Sequence, residues 1–273
     1  MTQALVLLVT GAAAGLFGSL LGLGGGVFLV PVLVLFLGVD MAHAAGASLT
    51  AVIATSSAAA SVYVDRGVAN MKLGVVLETA TVLGAICGGV SAGLLPARAL
   101  VGLFGAVLVA ATAALLSSRP EAGDGPEEPG GGPLDGEYFD PALGRRVRYR
   151  VRRLPAGLSA SFVAGGLSGL LGIGGGLVKV PALHLFCGMP MKASAATSNY
   201  TIGVTAAAGA IVYFNQGMLD PDLCGITVLG VLGGSWAGTA LSPRIKGRTL
   251  RRLFSAVTAL MAVQMLRRAL SGG

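Results

Sequence analysis

Residues 22–26 read GLGGG and are followed by Pro31, and residues 172–176 read GIGGG and are followed by Pro181. Each copy lies inside a long apolar stretch. Glycine and proline weaken a helix interior, and a bilayer core contains no water to satisfy the freed backbone groups. Two breaks at matching positions therefore indicate helices that are interrupted for a functional reason. In membrane proteins built from two similar halves, such helices usually form the substrate site.

The composition predicts a polytopic membrane protein. Of the 273 residues, 54% are hydrophobic and only 11% are charged, whereas about a quarter are charged in an ordinary soluble domain. Apolar stretches of about 20 residues, the length that crosses a bilayer, recur along the chain. The first residues carry no basic segment, so we expect no cleaved signal peptide.

The net charge of +7 does not indicate nucleic acid as a partner, because the arginines cluster at the ends of apolar segments. That distribution is typical of the positive-inside rule. The three cysteines have neither metal-ligand spacing nor a CxxC pair. We therefore expect no metal and no cofactor.

The chain contains an internal duplication at an offset of 150 residues, the separation of Gly26 and Gly176. Identical residues recur at this offset without a gap, among them Gly38 and Gly188, Met41 and Met191, Ser48 and Ser198, Thr55 and Thr205, and Tyr63 and Tyr213. We infer a first membrane repeat at residues 1–117, a connector at 118–154 and a second membrane repeat at 155–273.

The connector is the one sizeable segment outside the apolar stretches. Its first part, from Arg119 to Pro133, is rich in glycine, proline and acidic residues, so we expect it to be flexible. In residues 137–151, apolar residues alternate with arginines, a pattern that predicts a small β-hairpin on the membrane surface. We expect the arginines to hold the connector in the cytoplasm, with binding of anionic lipid as the alternative.

Each repeat contains an interrupted apolar pair followed by three candidate spans. The pairs cover 5–38 and 157–187, and the spans cover 44–64, 73–92 and 99–117 in one repeat and 193–214, 223–242 and 252–267 in the other. If the pairs cross the membrane, the basic loop at 244–252 faces outside while the connector faces inside, against the positive-inside rule. If the pairs are re-entrant, both basic segments are cytoplasmic. Only Arg98, Arg267 and Arg268 then lie on the outer side, against the positive-inside rule.

The favoured fold is accordingly an all-α polytopic protein of the cell membrane. It has two inverted repeats, each with a glycine-broken re-entrant helix pair and three transmembrane helices. The two glycine triplets then meet near the midplane, where transporters of this architecture hold substrate.

The glycine triplets are candidates for binding an anion. Glycine leaves backbone N–H groups uncovered, and the first N–H groups of the following helix are unpaired and carry partial positive charge. The triplet positions are Gly24, Gly25, Gly26, Gly174, Gly175 and Gly176. The alternative is close helix packing, which we favour for the GxxxG pairs Gly84/Gly88 and Gly234/Gly238.

Two ionisable residues lie at membrane depth. Lys179 follows the second triplet, and its counterpart in the first repeat is Leu29. A charge there is costly unless it faces a cavity or a partner, so Lys179 is the best candidate for binding an anion, with snorkelling to the headgroups as the alternative. Glu78 is a candidate for carrying a coupling proton, or it pairs with a nearby cation.

Polar uncharged side chains follow the interrupted pairs. Hydroxyl and amide groups donate hydrogen bonds to oxyanions without the desolvation cost of a full charge. The candidate donors are Ser48, Thr55, Ser198, Asn199 and Thr205. The alternative for some of them is a bond back to a helix carbonyl.

The residues carry a resemblance to a known family. The segment GLFGSLLGLGGGVFLVPVL at 15–33, repeated as GGLSGLLGIGGGLVKVPAL at 165–183, resembles the TauE/SafE family of sulfite exporters. The resemblance covers nearly the whole chain except the connector. It implies a transporter for sulfur oxyanions such as sulfite, thiosulfate or organosulfonates, with a substrate that differs among members. The related thiosulfate-uptake branch uses cysteines along its path, and neither glycine motif here contains one.

These observations favour a secondary transporter over an anion channel, which is the alternative. An enzyme is not expected, because the sequence has no nucleophile–base or metal-ligand constellation. The expected partners are a small anionic substrate and membrane lipid. A coupling proton or Na⁺ and assembly into a homo-oligomer are further options.

Overall fold

The computed structural model describes residues 2–117, 132–245 and 247–271, and it is built almost entirely from helices. The helices are α1 (Thr2–Leu21), α2 (Gly26–Phe36), α3 (Met41–Asp65), α4 (Met71–Ala92), α5 (Ala97–Ser117), α6 (Leu154–Leu171), α7 (Gly176–Leu185), α8 (Met191–Asn215), α9 (Pro221–Leu241) and α10 (Gly247–Ser271). A 3₁₀ turn at Ser242–Arg244 follows α9. In the described part of the chain, five helices are long and apolar enough to cross a membrane: α1, α3, α4, α6 and α9.

The glycine motifs interrupt the helices where the sequence predicts. α1 ends before the first motif and α2 begins at Gly26, while α6 ends before the second and α7 begins at Gly176. The breaks arise from backbone that only glycine adopts without strain, because the φ angles of Gly24 and Gly174 are +72° and +73°. Pro31 lies inside α2, and the helix continues through it, so the glycines alone make the break.

Two pairs of equivalent helices, α3 with α8 and α5 with α10, contact each other and run antiparallel. In α3 and α8, Gly46 lies against the backbone of Met218, whereas Ser56, further along α3, lies against Gly203. In α5 and α10, Arg98 Nε near the start of α5 donates to the carbonyl oxygen of Ala269 near the end of α10 at 3.1 Å, and the hydroxyls of Thr112 and Thr258 are 2.6 Å apart. Early residues of one helix therefore face late residues of its counterpart in both pairs.

The remaining long helices pack closely across the halves through glycines. α1 runs parallel to α9, and α4 runs parallel to α6. A Cβ atom added to Gly234 would lie 1.8 Å from the carbonyl oxygen of Ala12, and one added to Gly88 would lie 2.0 Å from that of Gly166. The expectation that the GxxxG pairs serve close packing is confirmed.

The two ends of the α6–α7 pair lie side by side. The backbone N–H of Arg152, just before α6, donates to the carbonyl of Cys187, just after α7, at 3.1 Å. A Cβ atom on Gly157 would lie 2.8 Å from the Cys187 Sγ atom. The two helices therefore form a hairpin whose turn is the second glycine motif.

The predicted β-hairpin of the connector is present. β1 (Gly136–Asp140) and β2 (Arg145–Tyr149) pair antiparallel. Of the segment for which we expect flexibility, residues 119–131 lie outside the described residues. One face of the hairpin packs on the helices, where burial raises the pKa of Tyr149 to about 12. Lys192 Nζ at the start of α8 donates to Asp140 Oδ1 at 2.7 Å, in an ion pair that is almost fully buried. The hairpin is thus fixed to the start of α8.

Candidate functional site

The two glycine turns meet at the centre of the protein. Ser48 Oγ on α3 donates to the carbonyl oxygen of Gly172 at 2.6 Å. Its counterpart Ser198 Oγ on α8 donates to the carbonyl oxygen of Gly22 at 2.8 Å. Each serine thus satisfies a carbonyl group that the break in the opposite half leaves without a helical partner. These two bonds tie the halves together at equivalent positions.

The turns are also in direct van der Waals contact. A Cβ atom added to Gly176 would lie 2.1 Å from the carbonyl oxygen of Gly22, and one added to Gly26 would lie 2.8 Å from that of Gly172. α2 and α7 begin at this contact and have no side-chain cap. In this conformation the triplets pack against each other, as the packing alternative describes.

Lys179 is fully buried and has a complete set of hydrogen-bond acceptors. Its Nζ atom donates to Glu78 Oε2 at 2.5 Å, to Thr201 Oγ1 at 2.8 Å and to Thr81 Oγ1 at 3.3 Å. The side chain is 0% exposed, so it does not snorkel towards the surface. The three ammonium hydrogens match these three acceptors.

Glu78 completes a polar cluster that joins both halves of the chain. Thr205 Oγ1 donates to Oε1 of Glu78, the oxygen that Lys179 does not contact. We name these five residues the Lys179 cluster: Lys179, Glu78, Thr81, Thr201 and Thr205. Glu78 and Thr81 come from α4, Lys179 from α7 and the other two threonines from α8. The structure shows the pair with a cation, which is one of the two options that the sequence leaves for Glu78, and the coupling proton stays a prediction.

The cluster has no equivalent in the other half. At the offset of 150 residues, Lys179 corresponds to Leu29, Glu78 to Val228 and Thr201 to Ala51. Thr55, the counterpart of Thr205, donates to the carbonyl oxygen of Ala51 in its own helix at 2.9 Å. The charge at the centre of the protein therefore lies on one side of an otherwise repeated arrangement.

Asn199 lies away from the cluster, on another part of the α8 surface. Its Nδ2 atom donates to the carbonyl oxygen of Ser19 at 2.6 Å, close to the end of α1. Its Oδ1 atom is buried without a hydrogen-bond partner. An unsatisfied buried acceptor is costly and rare.

The structure brings most of the residues predicted from the sequence into two adjoining groups, and it leaves two of them apart. Lys179, Glu78 and Thr205 share one cluster, and the serines join the glycine triplets, whereas Thr55 and Asn199 bind helix carbonyls. Sequence reasoning missed Thr81 and Thr201, although each lies one helical turn from a predicted residue on the same helix. The described residues contain no group of three or more side chains suited to a metal ion.

The chain matches the family model for the sulfite exporter TauE/SafE over residues 7–265. A probable membrane transporter protein, YunE of Bacillus subtilis, is 27% identical over 274 residues, which cover 96% of each chain. The probable membrane transporter protein MJ0441 of Methanocaldococcus jannaschii is 24% identical and covers 96% of this chain and 94% of its own length.

A third relative is larger. The probable membrane transporter protein MamO of Magnetospirillum gryphiswaldense is 27% identical over 93% of this chain, which corresponds to 43% of its own length. No solved structure gave a significant match. The family model and the names of the relatives indicate a multi-pass membrane transporter and not an enzyme. On the evidence of the match across nearly its whole length, the chain belongs to the TauE/SafE sulfite exporter family.

Proposed function

We propose that this protein is a secondary transporter of small sulfur-containing oxyanions, of the sulfite or organosulfonate class, and that Lys179 binds the anion. The observation that carries the proposal is the Lys179 cluster, in which one buried ammonium group and the Thr205 hydroxyl already donate to a carboxylate. A buried cation inside a membrane bundle is costly unless it serves a substrate or an ion.

The cluster supports a singly charged oxyanion for a chemical reason. A sulfonate and a carboxylate both present oxygen acceptors that share one negative charge. The Lys179 ammonium group and the Thr205 hydroxyl, which donate to the Glu78 carboxylate, are donors of the kind that such oxygens require. A substrate anion would therefore occupy the place that the Glu78 carboxylate takes here.

The glycine triplets would complete the site when the two turns separate. The serine bonds to Gly172 and Gly22 hold them closed in this conformation. Separation would uncover the first N–H groups of α2 and α7, which carry partial positive charge and attract anions. Ser48 and Ser198 would then be free to donate to the substrate, with Thr55 and Asn199 further along the same helices.

An inverted arrangement of the repeats supports alternating access. It rests on the antiparallel packing of α3 with α8 and of α5 with α10, and on the adjoining ends of the α6–α7 pair. A cavity of about 330 Å³ is lined by Phe139 and Pro141 of the hairpin and by Ser242 and Pro243 of the turn after α9. That turn therefore lies on the same side of the protein as the connector. Rocking of one half against the other would open the site to each side in turn. We place the protein in the cell membrane with the connector in the cytoplasm.

Cysteine labelling tests this topology. In a background without the three native cysteines, we expect Leu143→Cys in the hairpin and Arg244→Cys after α9 to react with an impermeant maleimide from the same side. Asp40→Cys, before α3, should react from the opposite side. All three side chains are exposed. Reaction of Arg244→Cys from the side opposite to Leu143→Cys would mean that the interrupted pairs cross the membrane.

A ligand panel tests the substrate class. We expect at least one of sulfite, sulfate, thiosulfate, taurine, isethionate and sulfoacetate to raise the Tm of the purified protein, because a ligand at 100 times its Kd stabilises the folded state by about 2.7 kcal/mol. Lys179→Leu should weaken binding by about 10-fold to 100-fold, because it removes a hydrogen bond between the anion and a charged group. Lys72→Leu, which removes an exposed lysine at the start of α4, is the matched control and should bind normally.

The outcome remains informative if Lys179→Leu folds poorly. The double variant Lys179→Leu/Glu78→Gln removes both buried charges, and it should fold but not bind. A panel without any response from the wild-type protein would contradict the substrate class. Unchanged affinity in the variants would remove Lys179 from the site.

A further inference from the structure

We propose that anion binding at Lys179 is coupled to the uptake of one proton by Glu78, so that the protein moves an anion and a proton together. The inference rests on the proposed function, because it takes Lys179 as the anion site. It adds the identity of the coupling ion, the residue that carries it and the stoichiometry.

The first step concerns the hydrogen bonds of Lys179. All three ammonium hydrogens are matched by acceptors, and among the residues that the structure describes, Glu78 is the only one of these acceptors that is a carboxylate. An incoming anion must therefore displace an acceptor. Displacing Glu78 removes negative charge from the position that the substrate takes, whereas displacing a threonine would leave two anions on one ammonium group.

The second step concerns the carboxylate after displacement. Glu78 is only 8% exposed, and its other contact in the described structure is the hydroxyl of Thr205. A buried carboxylate without a cation is strongly disfavoured, and it takes up a proton from solvent instead. The neutral acid that results is able to keep a hydrogen bond with Thr205, since both groups donate and accept.

The surrounding helices offer no substitute cation in the described residues. α6 has no ionisable side chain. In α7 the other titratable residue is His184, whose ring bonds to the carbonyl oxygen of Met189 at the end of the helix. In α8, Lys192 pairs with Asp140, and Tyr200 and Tyr213 are the remaining titratable residues. On α4, Lys72 lies in the exposed first turn.

The exchange balances in charge and atoms. Before binding, the Glu78 carboxylate faces the Lys179 ammonium group. One anion and one proton enter, the anion takes the ammonium group, and the proton forms the O–H bond of the Glu78 carboxylic acid. The net charge of the cluster is zero in both states. That neutrality keeps the loaded site compatible with the membrane interior.

Isethionate is the probe that tests the coupling, because its sulfonate stays singly charged from pH 5 to pH 8. On mixing isethionate with the purified full-length protein at pH 7 in weak buffer, a pH indicator should report uptake of about one proton per anion bound. The affinity should fall about tenfold for each unit rise in pH between 6 and 8, since one proton is bound with each anion.

Three outcomes overturn the proposal and separate it from the proposed function. Saturable isethionate binding without proton uptake would remove the coupling and leave the anion site. Binding that requires Na⁺ would assign the coupling to that ion. No isethionate binding at any pH from 5 to 8 would contradict both the coupling and the anion site for this probe.

Glu78→Gln isolates the residue that carries the proton. This variant should bind isethionate without proton uptake and with an affinity that does not change with pH. Glu137→Gln, which removes an exposed carboxylate of the hairpin that bonds to Arg146 and Arg148, is the matched control and should keep an uptake of about one proton. If Glu78→Gln retains the uptake, another group carries the proton. If Glu78→Gln does not fold, the number of protons that the wild-type protein takes up per isethionate bound decides whether the coupling exists.

Discussion

Replacing Lys179 with methionine should destabilise the folded protein by about 3–5 kcal/mol, because the change leaves the Glu78 carboxylate buried without its cation. Lys179 and Glu78 are 0% and 8% exposed, so water is able to compensate very little of the loss. The measurement is unfolding in detergent, followed by the loss of helical signal with heat or denaturant. Leu29→Met at the equivalent position of the other repeat is the matched control. It exchanges one apolar side chain for another and should cost less than about 1.5 kcal/mol.

The double variant Lys179→Met/Glu78→Met separates the orphaned charge from the lost packing. It should recover most of the stability, because replacement of a whole buried ion pair by apolar residues is often neutral or stabilising. A double variant as unstable as the sum of both single variants would mean that the two charges do not interact. That result would contradict the cluster and the exchange at Glu78.

Replacing Gly176 with alanine should have a comparable effect, of about 3 kcal/mol or more. The new methyl group would lie 2.1 Å from the carbonyl oxygen of Gly22 and 2.9 Å from the Cα atom of Leu23. Both are backbone atoms, so relief requires movement of the opposite glycine turn. We expect a large loss in the yield of monodisperse protein and a lower Tm.

Gly233→Ala is the matched control for this substitution. Gly233 lies within α9, and a Cβ atom there would have no neighbour within 4 Å. Alanine should be neutral or stabilise the helix by about 0.5–1 kcal/mol, because it lowers the conformational entropy of the unfolded chain. If Gly176→Ala is as stable as Gly233→Ala, the two glycine turns are not in direct contact.

Much of the fold is predictable because it repeats. The offset between the glycine motifs places α3 and α8 at identical positions in their repeats, and the two helix breaks follow from the same triplets. The hairpin is predictable from the alternation of apolar residues with arginines in residues 137–151 alone. Proline misleads as a signal for the break, since α2 and α7 pass through Pro31 and Pro181. The glycines of each motif force the turn, through positive φ at Gly22, Gly24 and Gly25 in the first motif and at the equivalent glycines of the second.

The partners of the site residues are less predictable. Lys179 and Glu78 both stand out as charges in apolar helices, yet they are 101 positions apart, and no local pattern shows that α4 packs beside α7. Thr81 is recognisable only once Glu78 is known to face inward. Ser48 and Ser198 stand out as a repeated pair, but their bonds to Gly172 and Gly22 depend on contacts across the two halves.

The binding roles of the glycine triplets, the serines, Thr55 and Asn199 stay predictions, as does the inverted relation of the repeats. The structure describes one conformation, in which the glycine turns are closed on each other. A transporter must also reach conformations that open the site to each side, and the packing of small residues between the halves is compatible with such movement.

Counterflow of a sulfur oxyanion in proteoliposomes tests the central claim most directly. With an excess of unlabelled isethionate inside the vesicles, the wild-type protein should accumulate labelled isethionate transiently and with saturation. Lys179→Leu/Glu78→Gln should lose this accumulation. A transporter with a single alternating site produces counterflow, whereas an open anion channel does not. Linear flux without counterflow would favour the channel, and undiminished counterflow in the double variant would contradict an anion site at Lys179.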